Sequence, residues 1–102
     1  MNKPQTKLEK YAENIREYIK ISKPKGAGII PHIEHQSFKF ISVSFDHKQM
    51  FHISTSGTDL TPKGAIEYAH ELEVASGICK ELNKCYAEDR NTHIIDQLKH
   101  SI

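Results

Sequence analysis

The stretch of this chain best suited to acid–base chemistry is His35-Gln36-Ser37-Phe38, where an imidazole enters an extended segment ahead of an aromatic. An imidazole changes charge near neutral pH, so His35 is the catalytic candidate. A phosphate-cleaving site would also need cations to hold the substrate. Lys39 and Lys48 are the only ones in the hairpin that follows. His32 and His35 form an H-x-x-H pair, but on a strand an odd separation sends two side chains to opposite faces, so they make poor co-ligands. No third ligand falls at a recognised metal spacing, and His47, His70, His93 and His100 read as surface residues. No Gly-rich phosphate loop, nucleophile elbow, paired carboxylates or redox cysteine pair is present. No metal and no cofactor are expected, and a non-enzymatic role is favoured.

Charge points to contact rather than to a global field. The net charge is +1. Residues 3–25 carry seven Lys/Arg against three Glu, whereas residues 59–89 carry seven Asp/Glu against three Lys. The simple reading is attraction between a basic first helix and an acidic last one; the sharper one is a bipolar surface that orients a partner. Lys20, Lys23 and Lys25, with Lys63, are the cations that would serve a nucleic-acid interface. Arginine, the residue preferred for bidentate phosphate and guanine recognition, occurs only at Arg16 and Arg90. Twelve lysines against two arginines, and thirteen isoleucines against five leucines, are the bias of AT-rich coding DNA, as in low-GC bacteria, phages and mobile elements.

The elements that must position these residues are legible from periodicity. Thr6-Lys7-Leu8-Glu9 is a capping box. Leu8, Tyr11, Ala12, Ile15, Tyr18 and Ile19 continue it as one helical stripe, predicting a helix over 7–22 that Pro24 and Gly26 stop. Residues 28–35 read as a weaker strand, at a sheet edge because Pro31 cannot donate to a ladder. Residues 38–45 and 50–55 read as a hairpin. Its register follows from burial: Phe45 opposite Phe51, Val43 opposite Ile53 and Ile41 opposite Thr55 collect the apolar residues on one face, and require a turn of odd length around His47. Thr61 caps a helix over 62–88 with Pro62 at its first position. Its stripe is Ala65, Tyr68, Ala69, Leu72, Ala75, Cys79, Leu82 and Tyr86. Thr92 then caps a short helical segment, 92–100, that docks through Ile94, Ile95 and Leu98. Cys79 and Cys85 fall on different helix faces and read as free thiols of a reducing cytosol. No apolar run is long enough to span a membrane and the charged start is not a secretory signal, so a cytoplasmic protein is expected.

The expected fold is therefore a single α+β domain over 1–102. Its order is α-β-β-β-α, with a three-stranded antiparallel meander over 28–55, two helices on one face and a short C-terminal helix. That layout resembles the double-stranded RNA-binding domain, which would grip phosphates with lysines at the start of its last helix. Here that site reads Thr61-Pro62-Lys63-Gly64-Ala65, with one lysine. The His three positions before Phe38 is similar to the His of HicA-type RNA-cleaving toxins, without the Gly-Ser that precedes it there. Two helices leave the reverse of the sheet open, carrying Phe38, Phe40, Ser42, Ser44, Met50, His52 and Ser54. An aromatic patch on an open sheet marks a contact surface, unless the C-terminal segment covers Phe38 and Phe40. The expected function is that of a small regulator or inhibitor acting through protein contact, in its specific form a phage- or mobile-element-encoded inhibitor of the anti-CRISPR kind. A homodimer through the sheet edge or the open face is one form of that contact. Nucleic-acid binding and RNA cleavage by His35 are the alternatives.

Overall fold

Thr6 opens the first helix as the sequence predicts: its backbone is extended and its hydroxyl accepts the Glu9 N–H at 3.1 Å. This computed structural model describes residues 5–22, 30–55, 57 and 59–100. The element order is α1 (Lys7–Asn14), β1 (Ile19–Ser22), β2 (His32–Gln36), β3 (Ile41–Phe45), β4 (Phe51–Thr55) and α2 (Pro62–His100). The class is α+β, with two antiparallel two-stranded sheets, β1–β2 and β3–β4, among the described residues.

The first helix stops eight residues short of the expected 22. The N–H groups of Tyr18 and Ile19 both donate to the Ile15 carbonyl, at 2.8 and 2.9 Å, and this turn hands the chain to β1. Ile15 and Ile19 are both buried. Their four-residue step fits a helical stripe, but it equally fits a turn followed by a strand in which Ile19 and Ile21 alternate with Lys20 and Ser22. The β-branched pair settles into the strand. The stop signals Pro24 and Gly26, and the start of the strand expected over 28–35, lie outside the described residues.

Because β1 exists, β2 pairs with it instead of with β3, and the three-stranded meander gives way to two hairpins. The β1–β2 ladder shifts register between Lys20 and Ile21, so that Glu34 is the extra residue of a bulge. The bulge undoes the parity argument for the histidines: Ile33 and Gln36 turn inward while His32, Glu34 and His35 are all exposed. In the second hairpin the expected register is the observed one, with Phe45 opposite Phe51, Val43 opposite Ile53 and Ile41 opposite Thr55. Five residues, 46–50, make its turn. The strands are shorter than the expected 38–45 and 50–55, so Phe38 and Phe40 precede the sheet and do not belong to it.

α2 is one unbroken 39-residue helix, about 58 Å long at 1.5 Å per residue, and it sets the 60 Å long dimension of the molecule. Its start is as expected. Thr61 Oγ1 accepts the Gly64 N–H at 3.0 Å, and Pro62 takes the first helical position. A separate C-terminal helix does not form, because the Thr92 hydroxyl donates back to the Glu88 carbonyl at 3.1 Å, four residues earlier, rather than capping a new N-terminus. Its stripe is also shifted from expectation. Ala75, Cys79, Leu82 and Tyr86 are buried with Ile78 and Cys85, whereas Ala65 and Ala69 are exposed.

The core forms where α1, α2 and the two hairpins meet. Leu8, Ile15 and Ile19 pack with Ile41, Val43 and Phe51 and with the buried stripe of α2; Phe45 and Ile53 pack partly buried against them. Phe45 lies edge-on to Tyr86, with ring centres 5.0 Å apart. The acidic and basic halves of the chain meet as their charges suggest. Asp89 of α2 accepts the N–H groups of Lys7 and Leu8, at 3.0 and 2.9 Å, at the positive end of α1. Lys7 Nζ reaches Glu88 at 2.6 Å. That hydrogen bond holds Lys7 above its ordinary pKa and Glu88 below its own. Cys79 and Cys85 are buried free thiols, both pushed up in pKa by burial.

Side-chain amides stand in for missing strands on both edges of the β3–β4 hairpin. Asn83 of α2 accepts the Phe51 N–H at 2.6 Å and donates to the Phe51 carbonyl at 3.0 Å. On the other edge Gln36 accepts the Val43 N–H at 2.6 Å and donates to the Val43 carbonyl at 3.1 Å. Each clip satisfies both backbone groups of one residue, as a neighbouring strand would.

Candidate functional site

The outward face of the β3–β4 hairpin retains Ser42, Ser44, Met50, His52 and Ser54 from the expected open surface. His52 and Ser54 are exposed, Ser42 and Ser44 half-buried, and Met50 is 53 % exposed. Phe38 and Phe40 leave this patch and pack partly buried against the core. Phe38 stacks on Tyr18 with centres 6.1 Å apart, and Phe40 meets Tyr68 edge-on at 6.0 Å. The covering groups are these tyrosines and not the C-terminal segment. The backbone beside them is fixed by Glu71, whose carboxylate accepts the N–H groups of Lys39 and Phe40, both at 2.8 Å.

The tip of this hairpin is organised by Asp46. One carboxylate oxygen accepts the N–H groups of Lys48 and Met50, at 2.9 and 3.1 Å, and the other lies 3.4 Å from Nδ1 of His52. Desolvation pushes the Asp46 pKa up, but the Met50 and Lys48 amides and the two nearby histidines outweigh it, and the carboxyl sits below its ordinary value. Gln49 completes the turn in the left-handed region, at φ 62°, with its side-chain oxygen buried and unpartnered. Ser44 stands opposite His52 in the ladder, so the hairpin assembles serine, histidine and aspartate on one face. Among the described residues no hydrogen bond joins Ser44 to His52, and the amides near Asp46 are already committed to its carboxylate. The group closes a turn. Sequence spacing offered no warning of this trio, because it depends on the hairpin register.

The other candidates are dispersed. His35 is exposed opposite Lys20, and Lys20 itself pairs with Glu34 at 3.1 Å. The Glu34 carboxyl is held below its ordinary pKa by hydrogen bonds from Ser22 and then Lys20. Lys63 lines a hollow at the start of α2 with Lys39, Asp59 and Glu67, away from the hollow that Lys20 lines with Glu9, Glu13 and Arg16. Lys39 also lies over the Phe40 ring, 5.2 Å from its centre. Lys23 and Lys25 lie outside the described residues. No group of three or more His, Cys, Asp or Glu among the described residues could hold a metal ion.

One surface was expected to dock and does not. Ile94, Ile95 and Leu98 are 42 %, 51 % and 60 % exposed. They stand on the last stretch of α2, where residues 90–100 are all exposed. At about 100° per residue, they fall on the side of the helix turned away from Ala75, Cys79, Leu82 and Tyr86. They do not prolong the packing stripe, and make a separate apolar face on a projecting arm. No described helix is long and apolar enough to cross a membrane. No family model, curated protein or solved structure matches this chain.

Proposed function

We propose that this chain is a small non-enzymatic module that acts as a regulator or inhibitor by contact with a partner protein. The observation that supports the reading is the apolar face of Ile94, Ile95 and Leu98, exposed on an arm that the fold does not use for its own core. Such a face, flanked on the helix by Arg90 and Lys99, is the composition of an interface: apolar at its centre and polar at its rim. Of the hairpin patch, Met50 and His52 remain available to the same partner. The Lys- and Ile-rich composition gives the proposal its specific form, a phage- or mobile-element-encoded inhibitor of the anti-CRISPR kind. The test compares wild type with an Ile95→Asp/Leu98→Asp variant as bait in a host lysate, followed by mass identification. The expected result is a specific protein retained by wild type and lost by the variant at unchanged melting temperature. Equal retention by both would remove the arm as the contact surface.

Nucleic-acid binding is the second reading, and one observation favours it: Lys39 and Lys63 share a hollow, beside Asp59 and Glu67, at the N-terminal end of a long helix, where the helix dipole also attracts anions. Its expected result is a gel shift at low salt that weakens steeply as salt rises. No complex at low salt ends that reading.

A further inference from the structure

β3 is bonded to β4 on one side only, and its far edge faces a groove. The Asp46 N–H donates to the Met50 carbonyl at 3.0 Å. Hydrogen-bonded and non-hydrogen-bonded pairs alternate along an antiparallel ladder. The pairs Phe45–Phe51, Val43–Ile53 and Ile41–Thr55 are therefore the ones whose N–H and C=O groups point away from the partner strand. The two amide clips agree, because Gln36 and Asn83 hold the outward groups of Val43 and Phe51. Phe45 has the same outward pair on the β3 edge, and among the described residues no clip meets it.

Beside that edge lies the other hairpin. Among the described residues, the hydrogen bonds that join β2 to β3 are those of the Gln36 amide. From there the strands part around a groove of about 430 Å³, with His32 and Ile33 on one wall and Val43, Ser44 and Phe45 on the other. This volume is on the scale of small ligand sites, roughly 300–1,000 Å³. Here the free backbone pair identifies the ligand, because a donor and an acceptor spaced along a strand edge are the complement of another extended backbone. Val43 and Phe45 are two residues apart, about 6.8 Å along the strand, so three residues of an added strand cover both. Charge narrows the choice. Among the described residues no carboxylate lines the groove, and the one titratable side chain that does is His32.

We propose that this groove is a strand slot: an extended, neutral or acidic segment of a partner protein adds to the edge of β3 at Phe45 and takes over the Val43 groups that the Gln36 amide now holds. The proposal rests on the reading of the chain as a protein-binding module but uses a surface separate from the arm, so the two fail separately. The Gln36 clip is then a stand-in for the ligand strand. It keeps the edge from pairing indiscriminately and yields to a segment that offers a continuous ladder.

The probe is a set of three acetylated seven-residue peptides of alternating valine and threonine, flanked by glutamate, by glutamine or by lysine. Binding to the full chain is read by fluorescence anisotropy and by exchange of the Phe45 amide. The expected result has three parts. The glutamate and glutamine peptides bind and the lysine peptide binds less. Binding protects the Phe45 amide and is abolished by N-methylation of the peptide in one alternating register but not in the other. Gln36→Ala, which frees Val43, tightens binding several-fold. No binding to either wild type or Gln36→Ala at millimolar peptide overturns the proposal. So does binding indifferent to N-methylation register, or a Phe45 amide protected in a homodimer without peptide, which would make a second copy the occupant. The Ile95→Asp/Leu98→Asp variant should bind the peptides as wild type does, even if the arm reading is wrong.

Discussion

Asn83→Ala tests whether a side-chain amide can replace a strand. The substitution removes two hydrogen bonds, of 2.6 and 3.0 Å, from the N–H and C=O of a residue only 3 % exposed. Each bond contributes about 1 kcal/mol net, and the backbone groups stranded in a partly buried site keep the loss from being smaller, so a destabilisation of about 2 kcal/mol follows. A chain of 102 residues unfolds with an entropy of about 0.2 kcal/mol/K, which converts this loss into a fall of roughly 9 °C in melting temperature. Thermal and urea denaturation read it directly. Asn83→Asp is the control. It keeps the acceptor for the Phe51 N–H but offers nothing to the carbonyl, and should fall between wild type and alanine if charge effects are small. A shift under 3 °C for Asn83→Ala would mean that water satisfies Phe51 equally well, and the clip would lose its structural role.

Leu82 is fully buried where α2 meets the core; Leu82→Ala should cost about 3 kcal/mol through lost burial and a residual cavity, read by urea denaturation at an unchanged m-value. Gln49→Gly should instead stabilise, by about 1 kcal/mol, because it removes a side chain from left-handed backbone and with it a buried, unpartnered oxygen; a lower melting temperature would contradict the strain. Asp46 titrates below its ordinary value in the fold, so its contribution is present above the unfolded pKa of about 3.9 and is lost as pH falls through the lower folded value. Protection of the Lys48 and Met50 amides from exchange, relative to the unprotected rate at the same pH, should therefore weaken as Asp46 is protonated in acid, and Asp46→Asn should remove that pH dependence.

The hairpin register was legible because burial admits only one of two alternations, and the helix starts were legible because Thr6 and Thr61 each stand three residues before an amide that the first turn leaves unpaired, Glu9 and Gly64. β1 was not, since Ile15 and Ile19 satisfy a helical and a turn-plus-strand pattern alike, and missing it altered the sheet. A bulge at Glu34 then reversed the sidedness of His32 and His35, which no local periodicity encodes. The unbroken α2 hid behind Thr92, a good cap by type whose hydroxyl found a nearer carbonyl. For the site, Met50 and His52 lie where the register puts them. Phe38 and Phe40 do not, because Tyr18, Tyr68 and Glu71 come from elements far away in the sequence. The Gln36 and Asn83 clips are long-range contacts of ordinary residues and carry no sequence signature.

Asp89 ties α2 to the start of α1. Beyond it the helix is a cantilever of about 16 Å, and the bearing of its apolar face is set by angular phase alone. Inserting one alanine after Arg90 would swing that face by about 100° while leaving every contact behind Asp89 in place. Whatever reads the face together with the hairpin would find the two pointing in different directions on an otherwise intact molecule.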